Sequence, residues 1–323
     1  ESMIIKFEKK FFSFKLFLSV KNSKKTIISR KGWIIKLKDK KNNKGYGEVS
    51  PLIEDQFNIC EEQLNQIPLI IKEDQLMRNI NNFHPCIQSG VNSALAEVKG
   101  ILKFLDNYEF NNIYTSAILL NSESALKEII SLKKKTNLGN QILTIKWKVG
   151  IKGNKYEEKV LEEILGHIKS NFRIRIDANG SWSRKCADRW AEILKDNKNL
   201  DWLEQPLHED DLEGLKILND KIPVALDESL IKYPQLINDW NGWQIRRPSQ
   251  ECNPLDLLNE LENKKGFRAI STSFETGIGR RLLFHCSYKQ LLGSTPKVPG
   301  LGLKQIPDSF LFSQNPKFIW NNL

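Results

Sequence analysis

Arg173-Ile174-Arg175-Ile176-Asp177-Ala178-Asn179 alternates charged and apolar residues, then keeps a carboxylate where a buried strand would end. A side-chain period of two puts Arg175, Asp177 and Asn179 on one face. Working outward, Thr144-Ile145-Lys146-Trp147-Lys148-Val149 places Lys146 and Lys148 on a shared face. Downstream, Trp202-Leu203-Glu204-Gln205-Pro206 and Ala225-Leu226-Asp227-Glu228-Ser229 each close on an acid. Any one of these acids alone would read as a surface ion pair or a helix cap. Three of them at consecutive strand ends, beside a Lys-x-Lys pair, are expected to converge on one mouth, as residues at the C-terminal ends of barrel strands do.

The wider texture agrees. Short apolar runs at Tyr114 to Leu119, Thr144 to Val149, Phe172 to Asp177, Trp202 to Glu204, Val224 to Asp227, Trp243 to Arg246 and Ala269 to Ser273 are separated by amphipathic stretches. The spacing of roughly 20 to 30 residues is that of one βα unit each, so seven units and a closing strand make a barrel. An open doubly wound sheet has the same local texture, and the strand-end residues tip the choice. Upstream, Phe12, Phe14, Leu16 and Leu18 share one parity, and Trp33, Ile35 and Leu37 repeat the pattern, which predicts antiparallel strands. The polar turn Asp39 to Gly45 leads into Gly45-Tyr46-Gly47-Glu48-Val49-Ser50-Pro51-Leu52 and an exposed Glu54 to Asn58 loop, placed to act as a lid. Helical patterns near Cys60 to Met77 and Gly90 to Leu105 complete a small α+β unit.

The chain has 323 residues, 40% hydrophobic and 27% charged, enough for a barrel plus a smaller domain. No apolar run approaches the roughly 20 residues of a membrane-spanning helix. Glu1-Ser2 ahead of Met3 reads as an expression remnant, and Ile4 to Phe17 mixes Lys with Phe instead of building a signal-peptide core, so a cytoplasmic location is expected. The net charge of +10 comes from Lys spread along the whole chain, with no basic-aromatic motif, which argues against nucleic-acid binding. Cys60, Cys86, Cys186, Cys252 and Cys286 are scattered and odd in number, and His84, His167, His208 and His285 form no HxH or HExxH pattern. Reduced, structural cysteines and no histidine metal site are therefore expected.

Converging carboxylates repel one another unless a cation sits among them. Three oxygen ligands, with room for water and substrate, suit Mg²⁺ at Asp177, Glu204 and Asp227. Lysines crowded near a metal lose part of their preference for charge, which marks Lys148 as a candidate base. Lys146 is expected to stay protonated and to neutralise a substrate carboxylate. At the seventh strand, Ser271-Thr272-Ser273-Phe274-Glu275-Thr276-Gly277 offers hydroxyls and backbone N–H groups near a helix start, a cradle for a carboxylate that uses Ser271 and Ser273.

Taken in order, GYGEVSPL, GVNSALAEVKG, TIKWKVG, RIDANGSWS, WLEQPL, ALDES, RRPS and STSFETGIG resemble the enolase superfamily, in its muconate-lactonizing-enzyme-like branch, over nearly the whole chain. The resemblance implies a (β/α)₇β TIM-like barrel with an α+β capping domain built from both chain ends. The corresponding divisions are 1–105 for the cap, 106–295 for the barrel and 296–323 for a segment returning to the cap. It implies a Mg²⁺-dependent removal of the proton α to a carboxylate. Asp177, Glu204 and Asp227 would be metal ligands, Lys148 the acid/base, and Arg175 and Asn179 supporting polar residues. The branch usually reads Lys-Pro-Ser on the sixth strand, where this chain has Arg246-Arg247-Pro248-Ser249. Arg247 takes the lysine position, or Arg246 if the register slips by one. A guanidinium is a very poor proton acceptor, so two-base racemisation of N-acylamino acids is disfavoured. A one-base syn dehydration of an anionic cyclohexadiene carboxylate in menaquinone or phylloquinone synthesis is favoured, with Arg247 stacking on the ring. An N-acylamino-acid racemase or a muconate-type cycloisomerase of the same superfamily, and a catalytically silent binding barrel, are the rival expectations.

Overall fold

The computed structural model describes residues 2–104, 110, 115–135 and 140–323. The early alternation forms one long strand, β1 (Ile4–Lys21), folded back on β2 (Thr26–Asp39). β2 pairs with β3 (Lys44–Val49), and β4 (Ile70–Lys72) lies along the other edge of β1. The buried parity changes along β1. Ile5 and Phe7 pack with Trp33, Ile35 and Leu37 beneath α1 (Phe57–Asn65), α2 (Glu73–Ile80) and α3 (Pro85–Val98). Phe12 instead packs with Ile34 on the opposite face, against Ile319 and Trp320. Leu18, expected in the same stripe as Phe12, is exposed.

Two helical expectations need correction. Cys60 to Met77 is not one helix: Pro68 lies just past the end of α1 and cannot continue its hydrogen bonding, β4 follows, and α2 starts at Glu73. The helix expected over Gly90 to Leu105 starts earlier, at Pro85 with His84 as its cap, and ends at Val98, while Leu105 lies outside the described residues. The cysteines are all free, and two that are far apart in sequence meet in space. Cys60 of α1 and Cys86 of α3 meet with their sulfurs 3.6 Å apart, and the His84 ring lies beside them.

The second layer is a seven-stranded sheet whose spatial order follows the chain, every neighbouring pair parallel. Its strands are β5 (Ile118–Leu119), β6 (Leu143–Lys148), β7 (Phe172–Asp177), β8 (Leu200–Glu204), β9 (Val224–Leu226), β10 (Trp243–Arg246) and β11 (Arg268–Ile270). Tyr114, the expected start of the first strand, lies outside the described residues, and the ninth and eleventh strands end before Asp227 and Ser273. Helices α4 (Ala125–Lys135), α5 (Asn154–His167), α6 (Arg184–Leu194), α7 (Leu212–Asn219), α8 (Glu228–Lys232), α9 (Leu236–Asp239), α10 (Pro254–Glu262) and α11 (Gly277–Leu291) fill the crossovers. The two sheet edges are joined by one short segment. Ala117 N–H donates to the Pro299 carbonyl at 2.9 Å, Gly300 N–H to Ile270 at 2.9 Å, and Thr272 N–H to Gly300 at 2.8 Å. The closing piece of the barrel thus falls within the stretch 296–323. α12 (Pro316–Asn322) then packs Ile319 and Trp320 against the cap.

Cap and barrel share a tight seam. Within the cap, a Cβ on Gly47 would lie far inside van der Waals contact distance of the Gly90 carbonyl oxygen, so the glycines of β3 let its backbone touch α3 directly. Ser89 on α3 donates to the Pro248 carbonyl at 2.8 Å, and Arg281 of α11 pairs with Glu97 at 2.7 Å. The fully buried Arg30 donates to the carbonyls of Ser50, Pro51 and Ser273 at 2.9, 2.8 and 3.0 Å. Among the described residues, no helix is long and apolar enough to cross a membrane.

Candidate active site

Parallel register aligns the strand ends. Lys146 lies beside Arg175 and Lys148 beside Asp177, and on the next strand Asp177 lies beside Glu204. The Lys148 ammonium donates to Asp177 Oδ2 at 2.6 Å and reaches Asn179 Oδ1 at 3.3 Å. Lys146 bridges Asp177 and Glu204, at 3.1 and 2.6 Å. Arg247 grips Asp227 with both arms, Nε to Oδ1 at 2.9 Å and Nη2 to Oδ2 at 2.6 Å, and donates to the Thr272 carbonyl. All three carboxylates are buried.

Charges packed this closely reset one another. Burial alone would raise the Asp177 carboxyl, but Lys146 and Lys148 hold it well below the usual carboxylate range. For Lys146 burial works against the charge, yet Asp177 and Glu204 prevail and hold it above the usual lysine range, which keeps it an ammonium. Glu204 moves up, driven by burial and by the neighbouring Asp177 and Asp227 against the pull of Lys146. Glu228, adjacent to Asp227, is pushed up to about 7 by burial and by the charges of Asp227 and Asp177.

The lysine pair, the three carboxylates and Asn179 come together as the strand pattern anticipates, but Asn179 arrives by another route. Its φ of 47° takes it out of the strand into a left-handed turn, from which Nδ2 donates to Glu228 at 2.9 Å. Gln205 has the same character, with φ 36° and a buried amide that accepts from the Asp227 and Ser229 N–H groups, each at 3.1 Å. Arg175 is not brought to the mouth. It sits lower in the barrel, donating to Asp201 at 3.0 Å and to the Val298 carbonyl at 2.9 Å, with its guanidinium over the Trp202 ring. Alternation does place it on the face of Asp177, one layer further from the opening. Ser271 lines the cavity above the carboxylates, whereas the Ser273 hydroxyl is buried away from it without a hydrogen-bond partner. On the sixth strand it is Arg247 that faces the carboxylates, because Arg246 is held by Glu251 and Glu260, each at 2.7 Å.

The cavity at the mouth measures about 510 Å³. Its floor carries Lys146, Lys148, Asn179, Asp227, Glu228 and Arg247. The cap supplies the other wall from two places. Leu52, Ile53 and Gln56 belong to the expected lid, whose Glu54–Gln56 stretch is a single 3₁₀ turn leading into α1. Val20, Asn22, Lys24 and Lys25 belong to the β1–β2 hairpin, which sequence reasoning did not connect to the site. Nothing local marks that hairpin, because only the docking of cap on barrel brings it near: Lys24 reaches Glu209 at 3.2 Å and Lys25 the Leu52 carbonyl at 3.1 Å. Glu228 was also passed over, although it stands beside Asp227 in the same motif.

The donor set suits a hard divalent cation: three carboxylates on three adjacent strands, two of which already share a cation, the Lys146 ammonium. Their oxygens do not all lie within 4.8 Å of one another. Lys146 and Arg247 act as internal counter-ions that hold the acids apart, and a metal would have to displace those contacts.

Residues 134–238 match a family model described as enolase C-terminal domain-like. The o-succinylbenzoate synthase of Thermosynechococcus vestitus is 27% identical over 270 residues, covering 80% of each chain. Among solved structures, o-succinylbenzoate synthase from Thermosynechococcus elongatus BP-1, complexed with Mg in the active site, superposes with a TM-score of 0.78 at 22% identity, over 98% of this chain and 100% of that one. A substrate-liganded L-Ala-D/L-Glu epimerase from Bacillus subtilis gives a TM-score of 0.73 at 19% identity, over 91% of this chain and 89% of that one. With the barrel, the cap and the order of strand-end residues already in place, these likenesses give the chain the fold of the enolase-superfamily enzymes, with residues 134–238 similar to their C-terminal domain.

Proposed function

We propose that the protein is an o-succinylbenzoate synthase: a Mg²⁺-dependent hydro-lyase that converts 2-succinyl-6-hydroxy-2,4-cyclohexadiene-1-carboxylate to 2-succinylbenzoate and water in menaquinone or phylloquinone synthesis. The observation that carries this choice is Arg247. It stands across the mouth from Lys148, locked to Asp227, where a second proton acceptor would be needed for epimerisation.

Asp177, Glu204 and Asp227 would hold the metal, which when bound supplies a Lewis acid for the negative charge that develops on the substrate carboxylate. Lys146, kept as an ammonium by its acidic neighbours, adds a fixed positive charge beside that carboxylate. Lys148 takes the ring proton α to the carboxylate, and the electron pair of that C–H bond enters the ring. The C–OH bond on the neighbouring carbon then breaks on the same face, and the Lys148 ammonium returns its proton to the departing hydroxide as water. Asn179 orients Lys148, and the guanidinium of Arg247 faces the ring. Leu52, Ile53 and the β1–β2 hairpin wall the cavity against bulk water.

The test is turnover of the cyclohexadiene substrate with and without EDTA, in the parent protein and in Lys148→Ala. Activity should vanish with EDTA and return with Mg²⁺, and Lys148→Ala should lose about 10²- to 10⁴-fold or more in kcat while still binding Mg²⁺. Near-normal turnover by the variant would overturn the assignment. So would a parent protein inactive on this substrate that exchanges and inverts the α-proton of dipeptides.

A further inference from the structure

About the cap, away from the carboxylates, the structure carries an observation that the proposed reaction does not use. Cys60 and Cys86 are both fully buried, on α1 and at the second residue of α3, and are brought together only by the packing of those helices. Their sulfurs lie 3.6 Å apart, and His84 Nδ1 is 3.0 Å from the Cys86 sulfur. Among the described residues this is the one set of three Cys, His, Asp or Glu side chains whose ligand atoms all lie within 4.8 Å of one another. A tetrahedral Zn²⁺ with sulfur ligands at about 2.3 Å separates them by about 3.8 Å, close to the spacing already present.

The ring of His84 is also oriented for ligation. Its Nε2 lies 2.8 Å from Gln56 Oε1, an acceptor at that position, so Nε2 carries the proton. Nδ1 is then the acceptor nitrogen: it faces the Cys86 sulfur at 3.0 Å and takes a long 3.2 Å bond from the Cys86 N–H, the one contact that a metal would have to displace there. Second-sphere partners of this kind fix the tautomer of metal-binding histidines. His84 is half-buried, which gives an ion a way in.

We propose that Cys60, His84 and Cys86 form a second metal site, specific for a thiophilic divalent cation of the Zn²⁺ class, with solvent in the fourth position. The site is chemically distinct from the oxygen-only carboxylate set, so the two discriminate between soft and hard ions. It ties α1 to the start of α3. Through the His84–Gln56 bond it also steadies a residue that lines the substrate cavity.

The test uses the reduced full-length protein saturated with Mg²⁺, titrated anaerobically with Co²⁺ as a spectroscopic probe. One equivalent should produce thiolate-to-cobalt charge transfer and the intense d–d bands of a tetrahedral site, and Zn²⁺ should abolish both. Cys60→Ser and Cys86→Ser should each remove the charge-transfer band, Gln56→Ala should weaken binding about tenfold, and Cys252→Ser, at an exposed cysteine, should change nothing. In the unmutated protein, Zn²⁺ should protect Cys60 and Cys86 from alkylation, a readout that does not depend on any variant folding. Bands that persist in both serine variants would overturn the proposal. Equal alkylation with and without Zn²⁺, or a Cys60–Cys86 disulfide that forms in air at a rate Zn²⁺ does not slow, would do the same.

Discussion

Arg247 and Gln205 show how much of the site rests on single side chains. Replacing Arg247 by Lys keeps a positive charge near Asp227 but exchanges a two-armed fork for one ammonium able to accept a proton when neutral. Arg247→Lys is expected to lower dehydration and to introduce slow deuterium exchange with inversion at the α-carbon of N-acylamino acids, visible by NMR in D₂O. The unmutated protein should show no such exchange. Gln205 is buried at the left-handed corner between β8 and the loop to α7, and its Nε2 donates to the Leu207 carbonyl at 3.0 Å and the Ser229 hydroxyl at 2.8 Å. Gln205→Ala strands the Asp227 and Ser229 N–H groups as well, and leaving buried donors unpaired costs about 1–3 kcal/mol. A urea titration should show that loss as a lower midpoint, and Mg²⁺ affinity should fall with it because Asp227 is no longer positioned.

Elements are held to one another by similarly few groups. Glu260 of α10 receives Arg246 of β10 at 2.7 Å and Arg268 of β11 at 2.9 Å, so one carboxylate fastens a helix to two strands. Burial would raise this group, but the two guanidiniums hold it below its ordinary value of 4.5. A depressed carboxyl stabilises the fold fully above the unfolded-state value, and that contribution fades as pH falls through the lower folded-state value. Stability measured by denaturant between about pH 5 and pH 3 should therefore fall less steeply in Glu260→Gln than in the unmutated protein. An unchanged acid slope would show that the two arginines do not hold Glu260 ionised. Glu48 of β3 plays the complementary part at the start of α11, accepting from the Thr276 and Gly279 N–H groups, each at 3.0 Å. A carboxylate from the cap thus caps a helix of the barrel, and Glu48→Ala should cost about 1–3 kcal/mol, read as a lower midpoint in denaturant.

At the scale of the whole molecule, the cavity exists because cap and barrel are locked. Arg30→Met would leave the Ser50, Pro51 and Ser273 carbonyls without their donor. The expected result is faster hydrogen exchange in the 51–56 stretch and a rise in KM larger than the fall in kcat. The barrel and its acid-lined mouth were legible in the sequence because strand alternation and position at strand ends are local properties. Lys146, Lys148, Asp177, Glu204 and Asp227 all follow from that rule. What escaped was set by docking between distant parts. The hairpin at Asn22 to Lys25 carries no local mark of its role, and the cysteine–histidine cluster joins Cys60 to His84 and Cys86, each more than twenty residues away. Arg175 was misplaced for a related reason: alternation reports which face a side chain takes, but not how deep in the barrel it sits.

The Pro299–Gly300 segment that joins the two edges of the sheet bears on the order of synthesis. As the chain leaves the ribosome, the N-terminal strands, Lys148 and all three acids appear well before the piece that completes the ring. Domains ordinarily fold as they emerge, earliest portions first. Here the first strands cannot cover Phe12 and Ile34 until Ile319 and Trp320 arrive, and the barrel cannot close before residue 300. From the synthesis of β6 until residue 300 the nascent protein must carry an open, incomplete ring with unpaired edges, and chaperone dependence during synthesis is the expected burden of the way the ring is closed.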